Sequence, residues 1–237
     1  MLPVNEAIIL AGGLGTRLRS AVPDLPKCMA PVNGKPFIAY VTAYLQQQGI
    51  QHFIFALGYK SEAFDSFLRE FLPDHNYTLS VEDEPLGTGG AIQLASNQAK
   101  NDNVMVTNGD TIFKADLATC TAFHFNQNAE CTLALKPMHD FDRYGVVMVN
   151  EEGVIDEFKE KQYFKEGLIN GGLYVLNTAK FKRRQFPQKF SFEKDYLEKY
   201  SSEKKFFGIE QDGYFIDIGI PEDYNRAQHE LSINHKP

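Results

Sequence analysis

The chain opens with the apolar run Ala7-Ile8-Ile9-Leu10-Ala11, which passes without a break into Gly12-Gly13-Leu14-Gly15-Thr16-Arg17-Leu18. An apolar segment of that length with no polar alternation suits a strand covered on both faces, as in the middle of a parallel sheet. The glycines that follow let backbone N–H groups approach an anion without Cβ obstruction, forming a concave nest. Thr16 adds a hydroxyl donor, and Arg17 adds a guanidinium that can fork onto phosphate oxygens. The loop is not a Walker A motif, which needs Gly-Lys-Ser/Thr. Nor is it a dinucleotide fingerprint, because Leu18 stands where the third glycine belongs. No suitable acid follows about twenty residues later, so a nicotinamide-dependent oxidoreductase is disfavoured.

The rest of the first half continues the alternation. Residues 53–57, 77–81 and 104–107 read as strands, and residues 37–45, stopped by Gly49, as a helix. Ser61 is placed to cap a helix running to Leu72 with Glu62 in its first turn, and a further helix spans about 89–99. Such crossover units imply a Rossmann-like, mainly parallel sheet with helices on both faces. After residue 130 the texture changes. Segments 131–135, 144–149, 154–159 and 168–176 read as antiparallel ribbon with turns such as Glu151-Glu152-Gly153. A helix near 192–200, strands near 206–209 and 214–218, and a last helix opening at Pro221-Glu222 complete the reading. No Ser/Gly-rich linker or repeat separates the halves. The expectation is one α/β domain over 1–237 with a mixed sheet: a nucleotide-binding half to about 130 and a smaller antiparallel sugar-binding half beyond it.

Composition limits the partners. With 24 basic and 31 acidic residues the net charge is −7, which argues against nucleic acid but not against a small phosphorylated ligand. Cys28, Cys120 and Cys131 fit no metal or disulfide spacing and read as reduced thiols. The apolar run at 7–11 is too short for a signal peptide and is preceded by Glu6. Nothing approaches the ~18 apolar residues of a membrane span. The expected location is the cytoplasm, with no membrane partner; a homo-oligomer is compatible with the reading.

Candidate site residues lie beyond the loop. Lys27, after Pro26, can present a point charge to a triphosphate. Asn108-Gly109-Asp110 ends the strand at 104–107, and ligands of open parallel sheets gather at the carboxyl ends of strands. Asp110 there is suited to hold a magnesium ion beside phosphates. Asp217 is a carboxylate in an otherwise apolar strand, which needs a partner or a metal. Glu160-Lys161 and Asn170-Gly171-Gly172 can hydrogen-bond sugar hydroxyls and neutralise a sugar phosphate. In Glu82-Asp83-Glu84-Pro85-Leu86-Gly87-Thr88-Gly89-Gly90 the glycines leave room for a flat base. Glu82, an acceptor-only carboxylate, suits the two neighbouring donors of guanine. His52, His75, His124, His139, His229 and His235 show no ligand spacing and read as incidental.

Together these segments resemble the sugar-1-phosphate nucleotidyltransferase family over nearly the whole chain and in the family's order. The family's signature loop corresponds to residues 12–18, its lysine to Pro26-Lys27, and its base-binding segment to residues 84–90. Its metal aspartate corresponds to Gly109-Asp110; later matches are Tyr144-Gly145, Glu160-Lys161, Asn170-Gly171-Gly172 and Asp217 before Gly219-Ile220-Pro221-Glu222-Asp223-Tyr224. Within the family, residues 31–37 and 214–224 are most similar to the branch acting on D-glycero-α-D-manno-heptose 1-phosphate with GTP. Mannose 1-phosphate guanylyltransferases and hexose or N-acetylmuramate uridylyltransferases are near neighbours. The resemblance implies Mg²⁺ on Asp110 and Asp217, with Arg17, Lys27, Asp110 and Asp217 as the catalytic set. It implies nucleotide binding by Leu10, Ala11, Gly12, Gly13, Gly15, Thr16, Arg17, Lys27, Glu82, Pro85, Gly87 and Thr88. Sugar-phosphate binding falls to Asn108, Gly145, Glu160, Lys161, Asn170 and Gly172. Cys28 and Gln162 stand where the family often has proline, which removes a backbone restraint but no ligand. A rival of another class is a non-catalytic nucleotide-sugar sensor, disfavoured because it would not need both acids and both cations.

Overall fold

In a computed structural model of the chain, residues 4–13, 18, 25–58, 64–72 and 77–233 are described. The strands are β1 (Glu6–Leu10), β2 (Pro31–Val32), β3 (Lys35–Pro36), β4 (His52–Leu57), β5 (Tyr77–Val81), β6 (Asn103–Asn108) and β7 (Thr111–Phe113). They continue with β8 (Cys131–Phe141), β9 (Val146–Val149), β10 (Ile155–Lys159), β11 (Phe164–Asn177), β12 (Phe206–Glu210) and β13 (Phe215–Asp217). The α-helices are α1 (Phe37–Gln47), α2 (Phe64–Phe71), α3 (Gly87–Ser96), α4 (Leu117–Asn126), α5 (Thr178–Lys182) and α6 (Pro221–Ile233).

Strand β1 lies between β4 and β6 and runs parallel to both, and β5 extends the parallel part beyond β4. Because successive side chains of a strand point to opposite faces, the apolar run of β1 feeds two cores. Ala7 and Ile9 join a cluster with α1, α2 and α6, whereas Ile8 joins one with Ala91, Ile92 and Ala95 of α3. Phe53, Phe55 and Leu57 of β4 follow the first cluster, and Ile54 and Ala56 the second. The sheet is therefore covered on both faces, as its unbroken hydrophobicity predicts.

The antiparallel ribbon continues the same sheet. β11 pairs antiparallel with β6, β8 and β9, and β12 pairs parallel with β8. β13 leaves this sheet to pair with β7 in a separate two-stranded ladder that sets Asp217 opposite Thr111.

Several elements depart from the sequence reading. The strand expected at 144–149 starts only at Val146, leaving Tyr144 and Gly145 in a turn. The helix expected from about 89 begins at Gly87, and the helix near 192 is a π-helical stretch, Phe192–Glu198. Helix α4 has no strong apolar periodicity; its start is set by Asp116, whose Oδ1 accepts from the backbone N of Ala118 and Thr119. Ser61 and Glu62, the proposed cap of α2, lie outside the described residues, as do His75 and His235. Cys28, Cys120 and Cys131 are free and buried. Among the described residues no helix is long and apolar enough to cross a membrane.

His124 is structural rather than incidental. It is buried on α4, with Nδ1 2.9 Å from Thr132 Oγ1 and Nε2 3.1 Å from Asn103 Oδ1. Burial, assisted by the charge of Lys180, pushes its pKa down to about 4. The unfolded chain then takes up a proton near pH 6.5 that the folded chain refuses until about pH 4. Stability from this residue is complete above 6.5 and falls by up to about 3 kcal/mol as pH drops through that window. Urea midpoints measured from pH 7 to 4.5 should fall more steeply for the wild type than for His124→Gln. Parallel curves would show that His124 does not drive the loss.

Candidate active site

The carboxyl ends of β1 and β6 border a cavity of about 450 Å³. Two backbone bonds shape its floor: Ala11 N donates to Ala56 O at 2.9 Å and Gly109 N to Leu10 O at 2.8 Å. β4 and β6 flank β1 on opposite sides, so the cavity sits where an open α/β sheet reverses its strand order. Leu10, Ala11, Gly12, Gly13, Lys27, Glu82, Pro85, Gly87, Thr88, Asn108 and Asp110 all line it. Gly15, Thr16 and Arg17 lie outside the described residues.

Lys27 opens a short 3₁₀ turn after Pro26, closed by Ala30 N donating to Lys27 O at 3.0 Å. Its Nζ donates to Asp110 Oδ2 at 2.5 Å and to Asp217 Oδ1 at 3.2 Å. The two acids expected to share one cation do meet, through the β7–β13 ladder and the bond from Ile218 N to Asp110 O at 3.1 Å. Asp217 is further held by Gly219 N at 2.7 Å. Glycine at 219 leaves room for this pair: a Cβ there would stand 2.9 Å from Asp217 Oδ1 and 3.0 Å from Lys27 Nζ, so one of the two side chains would have to shift. Burial pulls the Lys27 pKa down, but the two carboxylates outweigh it and raise the value above the usual 10.5, so the ammonium stays charged. Two carboxylates against one ammonium leave a formal charge of −1 on the three side chains.

Glu82 follows β5, and its Oε2 accepts from Leu86 N at 2.9 Å. Burial raises its pKa, opposed by that backbone bond. The glycines that follow serve packing more than base access. Gly87 has φ +73°, and a Cβ on it would lie 2.6 Å from Phe190 O, so α3 starts pressed against the 186–190 segment. The Thr88 hydroxyl is engaged in the same contact, donating to Glu193 Oε2 at 2.7 Å and accepting from Phe192 N at 2.9 Å.

A second cavity of about 340 Å³ lies over the antiparallel part, lined among others by Tyr144, Gly145, Glu160, Lys161, Asn170, Lys194 and Glu198. Asn170 is oriented by its Nδ2 donating to Tyr174 Oη at 2.9 Å and its Oδ1 accepting from Gly172 N at 3.0 Å. Asn108, grouped by sequence with the sugar-phosphate residues, lines the first cavity and not the second, because it ends β6 beside β1. Gly172 borders neither cavity; it lets the chain pass the Asn108 side chain, where a Cβ would come within 2.5 Å of Nδ2.

Glu193 and Gly219 line the first cavity without having been anticipated. Gly219 was visible beside Asp217, but nothing around Glu193 distinguishes it from a surface acid.

The nucleotidyl transferase family matches residues 6–233. The chain is similar to the D-glycero-alpha-D-manno-heptose 1-phosphate guanylyltransferase of Aneurinibacillus thermoaerophilus, 50% identical over 226 residues covering 95% of this chain and 98% of that protein. It is 47% identical over 219 residues to the protein of the same description from Campylobacter jejuni, covering 92% and 96%. Among solved structures, HddC from Yersinia pseudotuberculosis complexed with GMP-PN superposes with a TM-score of 0.84 at 34% identity, covering 96% of this chain and all of that one.

Proposed function

This chain belongs to the nucleotidyl transferase family, and from that membership we propose that it condenses GTP with D-glycero-α-D-manno-heptose 1-phosphate, releasing pyrophosphate, in the cytoplasm. The reading is carried by one observation: Lys27, Asp110 and Asp217 converge beside a glycine-lined cavity at the carboxyl ends of β1 and β6. The named relatives at 50% and 47% identity supply the sugar and the base.

In this reaction a phosphate oxygen of the sugar 1-phosphate attacks the α-phosphorus in line. The bond to the β-phosphate oxygen breaks, and pyrophosphate departs with the electron pair. No side-chain nucleophile is needed; the protein positions the reactants and stabilises charge. Lys27 stabilises the charge growing on pyrophosphate, and the family resemblance assigns the same role to Arg17 and triphosphate binding to the glycine-loop amides. Lys161 meets the sugar phosphate, while Glu160 and Asn170 accept and donate to hydroxyls.

The donor set suits Mg²⁺. The ion favours hard oxygen ligands, commonly one or two carboxylates completed by substrate phosphates. Asp110 and Asp217 supply two such carboxylates, and no cluster of three or more metal-binding side chains occurs among the described residues. Bound there, it would neutralise phosphate charge and lower the cost of bringing two anions together.

The test is pyrophosphate release with GTP, ATP, UTP, CTP or dTTP, each paired with heptose, mannose or N-acetylmuramate 1-phosphate. The highest kcat/KM is expected for GTP with the heptose 1-phosphate. A preference for UTP would remove Glu82 as a guanine reader, and no release with any pair would favour a nucleotide-sugar sensor. Glu82→Gln should cut kcat/KM for GTP by about 10–100-fold, the loss expected when a charged hydrogen bond is removed. With inosine triphosphate, which lacks the 2-amino donor, the loss should be smaller; equal losses would place Glu82 away from the base.

A further inference from the structure

The two cavities meet at one side chain. Among the described residues, Glu193 is the residue that lines both. It is half-buried in the π-helical stretch Phe192–Glu198, a backbone geometry that is rare and concentrated at functional sites. Its Oε2 is pinned from both sides, accepting from Thr88 Oγ1 at 2.7 Å and from Ser191 Oγ at 3.0 Å. Thr88 is itself fixed by Phe192 N at 2.9 Å, so the carboxylate is held in one orientation. Oε1 receives no hydrogen bond among the described residues.

We propose that Glu193 is a specificity-determining residue whose Oε1 accepts a hydrogen bond from the C2 hydroxyl of the sugar 1-phosphate. The inference rests on the nucleotidyl-transfer reading. Transfer requires the α-phosphate, held in the first cavity, to meet the 1-phosphate of a sugar held in the second. The anomeric carbon therefore lies near their boundary, where Glu193 stands. Only two groups adjoin that carbon in the ring: the ring oxygen and C2. A carboxylate accepts and does not donate, and the ring oxygen likewise only accepts. The C2 hydroxyl is thus the donor that can reach Glu193. Its hydrogen bond holds the sugar end of the acceptor phosphate against the nucleotide pocket, so its loss falls on kcat/KM for the sugar substrate rather than on KM for GTP.

The test is a cycle of two enzymes and two substrates: wild type and Glu193→Ala, each with heptose 1-phosphate and its 2-deoxy analogue, at saturating GTP. The wild type should lose about 10–100-fold in kcat/KM when the C2 hydroxyl is removed, as for a hydrogen bond to a charged acceptor. Glu193→Ala should lose a similar factor on the hydroxylated substrate and little more on the 2-deoxy analogue. Glu193→Gln, which keeps an acceptor for Thr88 and Ser191, should show the same convergence at smaller amplitude, and carries the test if the alanine variant does not fold. Equal losses on both substrates would mean that Glu193 only ties α3 to the π-helix, and would overturn the proposal. So would a wild type indifferent to the C2 hydroxyl, with nucleotidyl transfer left standing. A wild type that releases no pyrophosphate with any sugar 1-phosphate and nucleotide overturns the underlying reading, and the proposal with it.

Discussion

Exchanging Asp217 for asparagine should lower kcat for pyrophosphate release by about 10²–10³-fold, the range seen when a preorganised electrostatic contact is removed from a reacting site. The change is nearly isosteric. The amide oxygen of the new side chain can still accept from Gly219 N, which now reaches Asp217 Oδ1 at 2.7 Å, so the turn before α6 should persist. What disappears is one of the two negative charges that meet at Lys27. A cation held by one carboxylate is held more weakly, so the magnesium concentration giving half-maximal rate should rise as kcat falls. Initial rates across a magnesium titration, with circular dichroism as a control on folding, decide it. A rate within about threefold of wild type, far short of the loss of a transition-state contact, would remove Asp217 from the proposed catalytic set.

Lys27→Ala should cost both activity and stability. Its side chain is 13% exposed, while those of Asp110 and Asp217 are 30% and 27% exposed. Breaking a fully buried pair costs about 3–5 kcal/mol; partial exposure of these acids reduces the expected loss to about 2–3 kcal/mol. For a chain of this size that is a fall in Tm of about 5–10 °C. Activity should drop by at least about 10²-fold, since the charge proposed to meet the triphosphate is lost. Magnesium should raise the Tm of the variant more than that of the wild type, because two unneutralised carboxylates then have no resident cation. Lys27→Arg, which keeps the charge, should lose less stability than alanine. If the alanine variant melts with the wild type and ignores magnesium, the three side chains do not form the electrostatic unit described here.

The parallel half was legible because its signals are local. Ala7-Ile8-Ile9-Leu10 has no polar alternation, so it had to be covered on both faces, and it feeds Ile8 and Ile9 to opposite cores. Asp110 and Lys27 were legible for the same reason: each follows a strand end or a proline-set turn that places it beside the glycine loop. The second half was harder to read. The turn at Tyr144-Gly145 looked like strand, since its residues adjoin a run with strand propensity. Only the approach of Lys159 O to the place where a Gly145 Cβ would stand shows the close packing that requires glycine there. Helix α4 was missed because its start depends on the Asp116 cap rather than on a periodic apolar face.

The sequence by itself determined the fold class and the chemistry each candidate side chain could offer, because these follow from residue type and short-range pattern. It could not bring Lys27 to carboxylates 83 and 190 positions away. That convergence was decided by the pairing of β13 with β7, a long-range contact. The sorting of residues between cavities was decided in the same way. Asn108 went to the first cavity because β6 lies against β1, and Glu193 reached the boundary because Thr88 on α3 and the π-helix after Phe190 hold each other. Local pattern specifies what a residue can do; which residues meet depends on strand pairing and packing between segments far apart in the chain.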